Sequence, residues 1–312
     1  MATPLTSHRP GLAILLNLSA VFFFTVMSAL IKATADSVPP GQAVFFRSLF
    51  AIPVILVWLA LRQELRHGLI ARRPIVHIRR GVLGTTAMGL IFAGLGLLPL
   101  PEVTAIGFAA PIFTVLLAAL LLGERIRLIR ISAVLLGLLG VLIMVWPRLG
   151  IGGDYQKSAA VGALLVLLSA MARALVQIQI RSMAESESTS AIVFYFSATA
   201  TVLSLLTLPF GWVVPTGQVL ILLVLAGVIG GAAQICMTSS YRFGAVSMLA
   251  PVEYASMLFA ILIGYIWFSE VPTAVMLAGA GLIIAGNILV IWREHHLGLA
   301  RARARPIADP KS

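Results

Sequence analysis

The sequence predicts an all-α integral membrane protein, with ten transmembrane helices arranged as two inverted five-helix repeats, and three observations carry that reading. Sixty per cent of the 312 residues are hydrophobic and only 11% are charged. Mean hydropathy is +1.04, and a soluble fold of this length cannot hide so much apolar surface from water. Ten apolar runs of about 20 residues, the length that crosses roughly 30 Å of hydrocarbon, follow one another along the chain. Finally, Glu124, Gly140 and Trp146 recur as Glu270, Gly286 and Trp292, each 146 residues on. Gly81 and Gly84 recur at the same offset as Gly227 and Gly230, so the duplication reaches back at least three spans in each half.

The spans are expected near 12–31, 41–61, 81–98, 103–122, 129–146, 158–180, 190–210, 217–237, 245–268 and 273–292. Each run is continuously apolar and does not alternate in polarity, which favours helices over a β-barrel. The first is read as retained: it is about 20 residues long, has no clean small-x-small cleavage site, and is followed closely by Lys32 and a second span. The first repeat is placed at 12–148 and the second at 158–293, joined by the polar stretch from Arg148 to Ser158. A basic cytoplasmic tail, 294–312, follows, and its part from Gly298 to Ser312 is expected to lack regular structure and to lie at the membrane surface.

An odd number of spans per half makes the second half enter the membrane from the opposite side, which is the inverted-repeat design of many secondary transporters. Charge sets the orientation. With both termini cytoplasmic, 17 of the 22 basic residues fall on that side, including Arg62, Arg66, Arg72, Arg73, Arg79 and Arg80. Only Lys32, Arg148 and Lys157 fall opposite, so the net charge of +11 is a positive-inside signature and implies no nucleic-acid partner. The expected location is a bacterial-type inner (plasma) membrane, multi-pass. All five tryptophans lie near span ends, where their rings suit the lipid interface.

Several segments resemble the EamA-type members of the drug/metabolite transporter superfamily. They are Val44-Phe45-Phe46-Arg47, Arg80-Gly81-Val82-Leu83-Gly84, Ala110-Pro111-Ile112-Phe113 and Leu122-Gly123-Glu124-Arg125 in the first half. In the second half they are Ala250-Pro251-Val252-Glu253-Tyr254 and Phe268-Ser269-Glu270-Val271-Pro272. The chain looks most like the branch that holds the S-adenosylmethionine uptake carriers and the solute carrier 35 group G proteins. That resemblance implies ten helices, cytoplasmic termini and a central cavity lined by both halves. Where the S-adenosylmethionine carriers have Asn-Asp in span 1, this chain has Met27-Ser28, which speaks against a cationic substrate of that kind.

Ionisable groups within spans are costly, about 2.5–3.5 kcal/mol each on insertion scales, so they mark candidate sites. Arg47 stands about 9 Å from the outer end of span 2. It reads either as an anion clamp in the cavity or as a structural partner of helix ends. Arg173, near the cytoplasmic end of span 6, is expected to snorkel. Glu253 is about 12 Å into span 9, where it is suited to exchange a proton or bind a cation, or else to pair permanently with Arg47 or Arg173. Tyr254 is its neighbour at 100° around the helix. Ser28, Thr86, Gln177 and Gln234 are polar at cavity depth and complete the candidate substrate-binding or coupling set; each alone also reads as an interhelical hydrogen bond. Glu124 and Glu270 sit at span ends and read as partners of local backbone or arginine donors. Pro111 and Pro251 interrupt spans and free backbone carbonyls.

Enzymatic chemistry has little footing here. All five histidines are expected outside the spans on the cytoplasmic side, Cys236 is the single cysteine, and no phosphate loop is present. No cofactor or metal is expected. The expected partners are a small-molecule solute, membrane lipids and a coupling proton or other ion. The alternatives are a membrane-embedded enzyme acting on lipid and a non-transporting membrane scaffold.

Overall fold

The computed structural model of the chain describes residues 9–122, 128–146, 154–183, 187–243, 249 and 252–303. Among them regular structure is helical. The first half builds α1 (Pro10–Thr34), α2 (Pro40–Leu61), a single turn α3 (Leu65–Gly68), α4 (Pro74–Leu97), α5 (Leu100–Gly107), α6 (Ala109–Leu122) and α7 (Leu128–Val145). The second half builds α8 (Asp154–Met183), α9 (Thr189–Ser204), a 3-10 turn at Leu205–Thr207, α10 (Gly217–Phe243), α11 (Ala255–Phe268) and α12 (Ala274–Arg303). Among the described residues six helices are long and apolar enough to cross a membrane, and shorter apolar ones lie at Leu100–Thr114, Leu135–Met144, Ala255–Phe268 and Ala274–Gly286.

Proline sets several starts. Pro10, Pro40 and Pro74 open α1, α2 and α4, where the absent N–H is no loss and the fixed φ is already helical. Pro74 places the start of α4 seven residues before the expected Arg-to-apolar boundary at 81, so His77, Arg79 and Arg80 belong to a helix and not to a loop. His77 is accordingly buried, against the expectation that it lies outside the spans. Span 4 is also not one helix. It breaks at Phe108, between α5 and α6, because Pro111 cannot serve the Gly107 carbonyl one turn back and its ring crowds it. Span 9 is interrupted at Tyr254, which follows helical Val252 and Glu253 and caps the helix that begins at Ala255, while Pro251 lies outside the described residues. The tail expectation also changes, since α12 continues to Arg303 through helix-favouring Leu, Ala and Arg.

The halves interlock. α1 packs most extensively on α10, and α4 on α8; α2 meets α9, and α7 meets α12. Exchanging the halves turns the first of these pairs into the second and returns each of the others to itself. The interior is a continuous apolar cluster that includes Ile31, Leu95, Leu100, Ile106, Leu223 and Ile283. Large apolar side chains such as Leu15, Val57, Leu164, Ile221 and Ile266 face outward, as a lipid-facing surface requires.

Candidate functional site

Three polar assemblies lie along α4. At its C-terminal end, the Lys32 ammonium from α1 donates to the Leu95 and Leu98 carbonyls (3.2 and 2.7 Å) and pairs with the Glu270 carboxylate at 3.0 Å. Glu270 also accepts from the Leu100 amide at 2.8 Å, capping the first turn of α5. Backbone geometry aims this carboxylate. Ser269 closes α11 in the left-handed region (φ 55°), and the Glu270 amide returns to the Gly264 carbonyl at 2.9 Å. Thus one carboxylate of the second half neutralises a cation and a helix start of the first. Of the expected backbone or arginine donors, Glu270 takes a backbone amide, that of Leu100, and its cation is a lysine 238 positions away in sequence, not an arginine. Glu124, its repeat counterpart, lies outside the described residues.

At the N-terminal end of α4, Glu187 accepts from the Arg72 and Arg73 amides at 3.1 and 2.8 Å and stands 3.2 Å from His77 Nε2. Burial pushes its carboxyl up, but the His77 contact and the two amides outweigh that and hold it below the ordinary value of 4.5. A carboxylate of the second half therefore again caps a helix of the first.

Between these ends lies a pair of buried cations. Arg47 of α2 and Arg80 of α4 are 3% and 4% exposed, and both stack on Phe196 of α9. Their guanidinium carbons are 5.7 and 4.4 Å from its ring centroid. Among the described residues Arg47 Nε and Nη1 and Arg80 Nε have no hydrogen-bond partner. Arg80 Nη1 reaches the Ile192 carbonyl at 3.5 Å. Glycines make the room: a Cβ on Gly84 would lie 2.7 Å from the Phe196 ring, and one on Gly230 would lie 3.1 Å from Arg47 Nε. Sequence reasoning singled out Arg47 but missed Arg80 and Phe196. The available signal was Val44-Phe45-Phe46-Arg47-Ser48 recurring as Val193-Phe194-Tyr195-Phe196-Ser197, 149 residues on. The paired rings agree with that register, since Phe45 and Phe46 sit 5.5 Å apart at 89°, and Phe194 and Tyr195 5.5 Å apart at 84°.

The helix breaks form another matched pair. Phe108 and Tyr254 are 146 residues apart, stand at the break or cap of their helices, and pack edge to face with centroids 5.2 Å apart. Asn17 of α1, also missed, is buried and donates to the Leu249 carbonyl at 3.2 Å. Glu253 is half-buried next to the Tyr254 cap, and its carbonyl accepts from the Ser256 hydroxyl.

The other expected residues are dispersed. The Ser28 hydroxyl donates to its own helix at Phe24, and exposed Thr86 does likewise to Val82. Gln177 is exposed and accepts from the Thr114 hydroxyl at 3.4 Å, while half-buried Gln234 lends its backbone carbonyl to Thr238. Arg173 is exposed, with Nη1 near Gly107. A crevice of ≈ 370 Å³ opens beside Thr34, Asp36, Ala43, Phe92 and Gly96, and none of these candidates lines it.

Comparison with known proteins agrees with this architecture. The chain is 33% identical to the pseudopaline exporter CntI of Pseudomonas aeruginosa (strain UCBPP-PA14) over 88% of its own length and 94% of the relative's. It is 26% identical to the S-adenosylmethionine uptake transporter of Rickettsia prowazekii, over 81% and 83% of the two chains. It is 28% identical to a riboflavin transporter of Rhizobium johnstonii, over 82% of each. A solved crystal structure, 22% identical, shares the fold with a TM-score of 0.63 across 91% of this chain and 98% of its own. The model of the EamA-like transporter family matches residues 11–146 and again 160–292, and this multi-pass membrane protein belongs to that family.

Proposed function

We propose that the protein is a secondary transporter of a small organic metabolite, working by alternating access of two inverted five-helix halves in an inner membrane with both termini cytoplasmic. The observation that carries this reading is the Lys32–Glu270–Leu100 assembly. A single carboxylate of the second half, together with the Lys32 it pairs with, ties the ends of three first-half helices together, the kind of contact whose making and breaking closes and opens one mouth of a carrier. Support also comes from the exchange-symmetric packing of the helices and from the break pair Phe108 and Tyr254 at the junction of the halves. Relatives named as an exporter, an uptake transporter and a transporter favour transport over lipid chemistry or scaffolding. Glu253, beside the Tyr254 cap, is the candidate for ion coupling. The test is counterflow in proteoliposomes with S-adenosylmethionine, riboflavin, amino acids and nucleosides. Saturable exchange of one class is expected, and its absence across the panel with folded protein would remove the carrier reading for these solutes. Glu253→Gln is expected to lose the response of exchange to a pH gradient.

A further inference from the structure

The Arg47–Phe196–Arg80 assembly has one property that its packing leaves unexplained: two permanent cations, stripped of water, without a counter-charge among the described residues. Guanidinium stays protonated in proteins, and an unpaired buried charge is strongly unfavourable. A ring face offsets only part of this. Neither arginine has an ion-pair partner among the described residues, and three of their N–H-bearing nitrogens are unpartnered. Both cations come from the first half, whereas the matching positions of the second half carry Phe196 and Ala226. The assembly is asymmetric within an otherwise repeated frame, as a site for a chemically asymmetric ligand would be. Its position is also apt, since Arg47 lies about 10 Å from the start of α2 and Arg80 about 9 Å from the start of the antiparallel α4. Elements of both halves surround it, with Met27 of α1 and Gly230 of α10 against Arg47.

We propose that Arg47 and Arg80 together bind an oxyanion of the transported solute, a carboxylate or phosphate, which inserts beside Phe196 and takes up the free N–H donors. Guanidinium N–H groups match either oxyanion in geometry and charge. This assignment rests on the carrier reading for its consequence, but binding is measurable without transport.

The experiment pairs each oxyanion-bearing solute with a congener that lacks the oxyanion: methionine with methioninamide, AMP with adenosine, and riboflavin 5′-phosphate with riboflavin. Thermal unfolding of the purified protein and counterflow in proteoliposomes are both followed. In at least one pair the acid should stabilise the wild type in a saturable way and its congener should not. Whether that pair is a carboxylate or a phosphate identifies the group. Arg47→Gln and Arg80→Gln should each weaken this response at least tenfold, and Arg80→Lys should recover part of it. Should a glutamine variant fail to fold, the comparison of acid with congener in the wild type still decides. Exchange that treats acid and congener alike would overturn the proposal and leave the carrier reading intact. Acid-selective stabilisation without exchange would support the proposal and count against the carrier. No acid-selective response in any pair would overturn the proposal whether or not exchange is seen.

Discussion

Arg47 rests on the ring of Phe196, 5.7 Å from its centroid, and Phe196 is the residue that takes the place of Arg47 in the second half. A residue packed against its own repeat counterpart marks where the two halves meet face to face, here through α2 and α9. Symmetry at that point would bring two like groups together, and two guanidiniums there would repel. An aromatic ring in one half removes the conflict and shields Arg80 as well. Phe196→Arg, which would make the halves alike, should therefore be far more damaging than loss of the ring alone. Phe196→Tyr is expected to be tolerated and Phe196→Leu to lower stability by about 1–3 kcal/mol. Phe196→Arg should yield no folded protein by size-exclusion chromatography in detergent.

The Lys32–Glu270 contact makes a prediction separable into charge and cap. Glu270→Gln keeps an oxygen for the Leu100 amide but loses the ion pair, whereas Glu270→Ala loses both. The first should cost about 1 kcal/mol and the second about 2 kcal/mol, since both groups are only slightly exposed. Exchanging the charges, Lys32→Glu with Glu270→Lys, should not restore stability, because a lysine cannot accept from Leu100. Chemical unfolding of the four proteins in one detergent would check the order.

Much of this was readable in the sequence, and the misses have physical causes. The duplicated Glu, Gly and Trp positions and the apolar runs pointed to a repeated helical frame, because membrane spans must be long and apolar wherever they pack. Arg47 stood out because an arginine amid apolar residues is conspicuous. Arg80 and His77 did not, because the Arg72-to-Arg80 stretch reads as one basic loop by charge, while Pro74 is the true helix start. Phe196 is inconspicuous by type, and its register differs by three residues from that of the Glu and Gly matches, which hid its kinship with Arg47. Glu187 and Asn17 gain their meaning only from distant partners, over 110 and 232 residues away.

Acid should loosen the Arg72–Arg73–Glu187 junction. The native carboxyl of Glu187 titrates below its unfolded value, so its contribution to stability is present in full above the unfolded value, near 4.5, and is lost as pH falls through the native one. Glu187→Gln removes this group from the linkage. The wild type should then lose stability more steeply than the variant as pH drops from about 5 towards 3. Unfolding midpoints measured across that range for both proteins test the sign, and parallel curves would dismiss the assignment.

Glycines within the spans should differ sharply in tolerance according to what a methyl group would meet. A Cβ on Gly227 would stand 2.5 Å from Phe50 Cβ and 3.0 and 3.2 Å from the Phe46 and Arg47 carbonyl oxygens, and α2 cannot retreat from these without moving as a helix. On Gly230 the nearest atom is the Met27 sulfur at 2.7 Å, at the end of a flexible side chain. On Gly89 nothing lies within 4 Å. Gly227→Ala is therefore expected to destabilise by about 2–3 kcal/mol and Gly230→Ala by about 1 kcal/mol. Gly89→Ala should be neutral or stabilising by up to about 1 kcal/mol, because alanine restricts the unfolded chain and favours helix. Thermal unfolding of the three variants should rank them in that order. A Gly230→Ala protein that retains its stability would further allow a functional reading of the crowded Arg47 guanidinium: its response to an anionic solute should weaken while that of Gly89→Ala stays at the wild-type level.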